Sequence, residues 1–278
     1  MYWEDPMARE IEERIYKAVC ESNRKLTPRE VELACVEEAG TDRQRVRQAI
    51  RALVGRGALG YTYVHGTSFL EPSFDRPVRV SPRIVLKPPQ RRYEPLPGEV
   101  VIDIAGGAAF GNGAHPTTCL ALEAIDVALG DAFSSTRKRP FTGLDVGTGT
   151  GILAIALAKL GVERVLGLDI DPCAVSEASH NVSLNGLADQ VTVANAPLGE
   201  LASGFSVIAA NLAYPTLAGF CAVLSEKLEA GGILVLSGFK GSPAEDLKRA
   251  YGEQGLRLIR EQTDRHWVCL VLSKPERP

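Results

Sequence analysis

Apolar positions along this chain follow two rhythms, and the change between them divides it. Up to about residue 75 the rhythm is mostly helical. Ile11, Ile15 and Val19 recur at helical spacing within residues 8–21. "LTPREVELACVEEAG" predicts a second helix, with Thr27 as N-cap, Pro28 at the first helical position and a stop at Gly40. "TDRQRVRQAIRALVGRGAL" predicts a third, capped by Thr41 or Asp42. Its apolar stripe is Val46, Ala49, Ile50 and Leu53, and it ends at Gly55 or Gly57. The alternation in "LGYTYVHGTSFLEPSF" then predicts a β-hairpin turning at His65-Gly66. From about residue 101 strand and helix patterns take turns. "FTGLDVG", "RVLGLDI", "QVTVAN", "FSVIAAN" and "ILVLSGF" read as strands, with helical stretches between them, and "LRLIREQTD" with "HWVCLVLSK" closes the chain as a hairpin. That order demands an α/β fold, a mainly parallel sheet with helices on both faces.

Three regions follow: 1–75, 76–100 and 101–278. The middle one, "RPVRVSPRIVLKPPQRRYEPLPGE", is crowded with prolines and arginines and reads as a linker with at most a short strand at "RIVLK". Three helices and a hairpin make the first region a small α+β domain that resembles a winged helix-turn-helix. Its third helix would be the recognition helix, where Arg43, Arg47 and Arg51 lie on one stripe. Such a stripe suits phosphate contact, and it equally suits a solvated face or a protein contact, since acids in "EVELACVEEAG" compensate it. The arginines of 76–100 fit either phosphate or acids of the third region.

Composition narrows the class without choosing a function. Of 278 residues, 45% are hydrophobic and 23% charged, enough for a sizeable core. The net charge of -3 excludes a generally polycationic binder. No apolar run is long enough to span a bilayer, and the acidic start does not suit a signal peptide. The 6 Cys are scattered and read as free thiols of a cytoplasmic protein. Neither they nor the 4 His show metal spacing, so no metal is expected.

Chemistry concentrates at the strand ends of the third region. "GLDVGTGTGILAI" carries Gly147, Gly149 and Gly151 between a strand and a helix. Glycines there let the backbone turn tightly and approach a ligand, and the helix start offers free N–H groups. The next strand ends in "LDIDP". Asp171 before Pro172 suits an N-cap, which leaves Asp169 to accept the hydroxyls of a ribose. Asn211 ends the fourth strand of the series, at the edge where open α/β sheets bind ligands. His115, a lone His before Pro, suits a loop-stabilising hydrogen bonder more than a base.

Together "AFGNGAHPTT", "LDVGTGTGILAIA", "GLDIDPCAV", "HNVSLNG" and "VIAANLAYP" resemble the motifs of class I S-adenosylmethionine-dependent methyltransferases. From about residue 78 onward they resemble, more narrowly, the PrmA family, which methylates a large-subunit ribosomal protein on amino groups. The resemblance implies a Rossmann-like seven-stranded sheet, S-adenosyl-L-methionine as cofactor and a protein substrate. It implies cofactor contacts from Phe110, Thr118, Asp145, Gly147, Gly149, Asp169, Asn195 and Asn211. Asn211 would also sit beside the transferring methyl and aim the lone pair of an amine. The first region does not resemble that family's own substrate-recognition domain, and Asn112 stands where its members usually have Thr. The alternatives are a nucleic-acid-binding regulator, or methylation of a nucleic acid or small molecule guided by the first region.

Overall fold

A computed structural model describes residues 6–22, 24–39, 41–64, 67–74, 76–105, 113, 115–133, 141–201 and 204–276. Its contacts divide the chain into Met1–Asp75 and Arg76–Pro278.

In the first unit three helices, α1 (Pro6–Glu21), α2 (Pro28–Ala39) and α3 (Arg43–Gly55), precede an antiparallel hairpin of β1 (Leu59–Val64) and β2 (Thr67–Pro72). The expected turn residues His65 and Gly66 lie outside the described residues. The apolar stripes meet in one core built on Ile11, Ile15, Val31, Val46, Ile50, Leu53, Leu59 and Leu70. Helix starts are set by capping. Thr27 Oγ1 accepts from Glu30 N at 3.2 Å while Glu30 Oε2 accepts from Thr27 N at 2.8 Å, a reciprocal capping box. Asp42, not Thr41, caps α3, accepting from Gln44 N at 2.8 Å and Arg45 N at 3.0 Å.

The second unit opens with a three-stranded sheet in the order β3 (Val78–Arg79), β4 (Ile84–Lys87), β5 (Val100–Asp103). Residues 76–100, expected as a linker, are therefore part of this unit. Ile84, Val85 and Leu86 are all buried, so β4 is covered on both faces, which a proline-rich window hides. Three of the basic residues here pair with acids of the same unit. Arg83 Nε lies 2.5 Å from the buried Asp126, Arg79 pairs with Glu99, and Lys87 with Asp103.

After β5 come α4 (Pro116–Phe133), β6 (Thr142–Val146), α5 (Ile152–Lys159), β7 (Arg164–Leu168), α6 (Pro172–Leu184), β8 (Val191–Ala194) and β9 (Phe205–Asn211). Then follow α7 (Tyr214–Gly219), α8 (Cys221–Lys227), β10 (Leu228–Lys240), α9 (Ala244–Glu253), β11 (Arg257–Asp264) and β12 (Trp267–Ser273). Seven strands form one sheet in the order β11-β12-β10-β9-β6-β7-β8. All pairs are parallel except those of β12, which runs antiparallel to β10 and β11. This is the Rossmann-like seven-stranded sheet expected. Strand order reverses at β6, which lies between β7 and β9, so ligand chemistry belongs at the C-terminal ends of those three strands. Among the described residues no helix is long and apolar enough to cross a membrane. No group of three His, Cys, Asp or Glu among them could hold a metal ion.

Candidate active site

The glycine turn after β6 depends on left-handed backbone. Gly147, Gly149 and Gly151 have φ of 72°, 55° and 81°, a region that disfavours side chains. Space adds a second constraint at two of them. A Cβ on Gly147 would lie 2.3 Å from Leu212 Cδ2, and one on Gly151 3.1 Å from Ala178 Cβ. The turn is held from below by Asp145, which is fully buried. Asp145 Oδ2 accepts from Thr148 Oγ1 at 2.6 Å and from Ala154 N at 3.1 Å. Its Oδ1 is buried without a hydrogen-bond partner among the described residues. Burial pushes this carboxyl up to about 6. Asn181 of α6 adds a brace from the side, its Nδ2 donating to Thr150 O at 2.9 Å and its Oδ1 accepting from Ala105 N at 3.0 Å.

Beyond β7 the two aspartates separate their tasks. Asp171 Oδ1 accepts from Cys173 N at 2.9 Å and caps α6, with Pro172 first in the helix. Asp169 turns back to the glycine turn. Its Oδ2 accepts from Gly149 N at 2.9 Å and its Oδ1 from Asp171 N at 3.0 Å. Between them Ile170 is 91% exposed. Asn195, just past β8, donates from Nδ2 to Ile170 O at 2.9 Å. An isoleucine held bare beside a carboxylate offers an apolar face next to a hydrogen-bonding one, which suits the base and sugar of a nucleoside. Sequence reasoning missed Ile170. Its signal was an apolar residue flanked by acids at a strand's C-terminal end.

The third side of the site joins segments far apart in the chain. At the start of α4, Thr118 is fully buried, and its Oγ1 accepts from Asn211 Nδ2 at 3.4 Å. Asn211 Oδ1 is buried without a partner among the described residues. His115 Nδ1 accepts from Thr117 N at 3.3 Å and lies 2.8 Å from Thr117 Oγ1, so the ring organises the helix start. Its edge packs on Trp267, with ring centroids 5.1 Å apart, and burial pulls its pKa down to about 4. It is neutral at pH 7. Ser237 and Gly238 of β10, also unforeseen, touch both segments: Ser237 Oγ donates to Thr117 O at 2.9 Å, and Ser237 O accepts from Leu212 N at 3.0 Å. Nothing in "ILVLSGF" distinguished that serine from an ordinary strand residue.

Of the expected contacts, Asp145, Gly147, Gly149 and Asp169 come together around one turn. Thr118 and Asn211 meet beside it, with Leu212 packed against Gly147. Asn195 stands on the far side with Ile170. Asp145 lies beneath the turn, as a brace. Phe110 lies outside the described residues.

A family model described as Ribosomal protein L11 methyltransferase (PrmA) matches residues 72–275. The ribosomal protein L11 methyltransferase of Geotalea daltonii is 38% identical over 200 residues, 71% of this chain and 64% of the relative. That of Citrifermentans bemidjiense is 40% identical over 200 residues, 72% of this chain and 64% of the relative. Among solved structures, a ribosomal protein L11 methylase from Lactobacillus delbrueckii subsp. bulgaricus aligns with a TM-score of 0.63 at 27% identity, covering 72% of this chain and 100% of that one. The chain spans less than two thirds of the length of these two curated relatives.

Proposed function

Because the chain belongs to the PrmA family of ribosomal protein L11 methyltransferases, we propose that it transfers a methyl group from S-adenosyl-L-methionine to an amino group of a protein, ribosomal protein L11 or a related target. The observation that carries this reading is Asn211 Oδ1, a buried acceptor without a partner among the described residues. It stands beside Thr118, one residue before the Leu212 that packs on Gly147.

The residues present fit the cofactor. The left-handed turn admits close approach at Gly147, and Asp169, already anchored by two main-chain N–H groups, has acceptor capacity left for a ribose. Ile170 gives the adenine an apolar face, and Asn195 steadies Ile170 from behind. The orphaned Asp145 Oδ1 suits an ammonium group, directly or through a water. When bound, S-adenosyl-L-methionine supplies a methyl group already activated on a sulfonium, so no covalent nucleophile is required of the protein. What the chain must do is orient the acceptor and keep water out. Asn211 Oδ1 accepts an N–H of the incoming neutral amine, which turns the nitrogen lone pair away from that bond and toward the donor side. Thr118 Oγ1 occupies the other end of the carboxamide. His115 does not take up the proton, because its Nδ1 is used by Thr117 and its basicity is low.

The first unit lies almost wholly outside the family match, and we assign it to substrate choice. A protein partner suits it better than nucleic acid. Arg47 Nε and a second guanidinium nitrogen reach Glu32 at 2.7 and 3.2 Å, Arg43 lies 3.7 Å from the same carboxylate, and Arg56 pairs with Glu12 at 2.5 Å. No disulfide links the six cysteines, in keeping with a cytoplasmic setting.

Incubation with methyl-labelled S-adenosylmethionine, purified ribosomal protein L11 and, separately, cell extract tests the reading. Label is expected in protein. Label in RNA or small molecules alone would transfer the assignment to those acceptors, and no binding of S-adenosylhomocysteine in titration calorimetry would end it.

A further inference from the structure

Strand β10 is interrupted where it passes the site. Its pairing with β12 runs in step to Leu236 opposite Leu270 and resumes at Phe239 opposite Val268, so Ser237 and Gly238 form a bulge. The bulge lets one buried residue serve three directions. Ser237 stands opposite Asn211 in the β9–β10 pairing, its carbonyl takes Leu212 N at 3.0 Å, and its hydroxyl donates to Thr117 O at 2.9 Å. Gly238, at φ 95°, carries the main chain of Leu212 directly on it: a Cβ there would lie 2.5 Å from Leu212 O and 2.7 Å from Leu212 N. Asn211 is thus held on one side through Leu212 and on the other through the start of α4. The second hold is the delicate one. The bond from Asn211 Nδ2 to Thr118 Oγ1 is 3.4 Å long, at the outer limit of a hydrogen bond. A carboxamide is nearly symmetric in shape, so only the groups around it decide which end faces the site.

We propose that Ser237 is a positioning residue for methyl transfer, whose hydroxyl ties the start of α4 to the β10 bulge so that Thr118 keeps the Asn211 carboxamide turned with its unpartnered oxygen toward the acceptor amine. This rests on the methyltransferase reading above. The hydroxyl touches neither reacting group. It keeps Thr118 within reach of Asn211, and a displacement of a few tenths of an ångström would carry a bond of that length out of range.

The test reads the carboxamide directly, in the full chain without ligand. In a nitrogen-15 spectrum the side-chain NH2 pair of Asn211 is identified by its disappearance in Asn211→Ala. In Ser237→Ala that pair should move toward the position of a free carboxamide and exchange faster with solvent. The pair of Asn181, held by Thr150 O, should stay in place. Affinity for S-adenosylhomocysteine, measured by calorimetry, should stay within about twofold. An unchanged Asn211 signal overturns the proposal. So does a joint shift of the Asn181 and Asn211 pairs, which would mean general loosening. Should Ser237→Ala not fold, Ser237→Cys keeps the volume with a weaker donor, and an Asn211 pair unmoved there overturns the proposal equally. Failure of the unaltered chain to bind S-adenosylhomocysteine strikes the methyltransferase reading instead, and leaves the coupling of Ser237 to Asn211 to be decided by the spectra.

Discussion

Gly147 bears two constraints that can be separated by mutation. Its φ of 72° strains any side chain, and a Cβ would also strike Leu212. Gly98 has a φ of 85°, and a Cβ there would meet nothing within 4 Å, so it reports strain alone. Gly98→Ala is expected to cost about 1 kcal/mol in urea unfolding and Gly147→Ala about 2–4 kcal/mol, with loss of S-adenosylhomocysteine affinity only in the second. Equal costs and equal affinities would remove the collision from the account. Two titrating residues of the site give opposite pH signatures. His115 has its folded pKa lowered from 6.5 to about 4, so the stability of its neutral, buried form is full above 6.5 and is lost as pH falls through about 4. Against His115→Gln, the wild type should therefore lose melting temperature on acidification across that window. Asp145 is raised from 3.8 to about 6, so its contribution is full below 3.8 and lost as pH rises through about 6. Asp145→Asn should gain on the wild type in the same melts as pH rises from 3.8 to about 6, and the gain should level off above that.

At the scale of elements, two neighbouring acids that look alike make different contacts. Asp171 caps α6, and Asp169 spans the glycine turn. Asp171→Ala is expected to cost about 1 kcal/mol of stability with little change in S-adenosylhomocysteine affinity. Asp169→Ala should weaken that affinity by about 1.5–3 kcal/mol, on the scale of a charge-assisted hydrogen bond. Calorimetry and unfolding of both variants check the division, and an exchange of the two phenotypes would reverse it. In the first unit the α2 capping box predicts a loss of about 1 kcal/mol for Thr27→Ala. The Glu30 half of that box is held to about 2 by hydrogen bonds from the Thr27 backbone, so it persists above the ordinary value of 4.5 and is lost only as pH falls through about 2.

For the whole molecule, charge speaks to partners more than to fold. Residues 1–75 hold 13 acidic against 11 basic side chains, and three of the arginines nearest the expected recognition stripe are paired with acids. Weak binding to duplex DNA or RNA is expected, and fluorescence anisotropy at low salt measures it. Tight binding with a steep salt slope would restore the nucleic-acid reading of this unit. Periodicity alone determined the alternation of strands and helices after residue 100 and the apolar stripes of α1 and α3, because side-chain burial in those elements repeats with the backbone's own period. Local chemistry determined the glycine turn and the capping of α6 by Asp171, since both act within a few residues. What only the tertiary structure decided are contacts between residues distant in sequence: Arg83 with Asp126, which draws the supposed linker into the second unit, and the meeting of Thr118, Asn211 and Ser237. A hydrogen bond between α4 and β9 leaves no periodic trace in either, because its geometry is set by the sheet order and the bulge that bring them together.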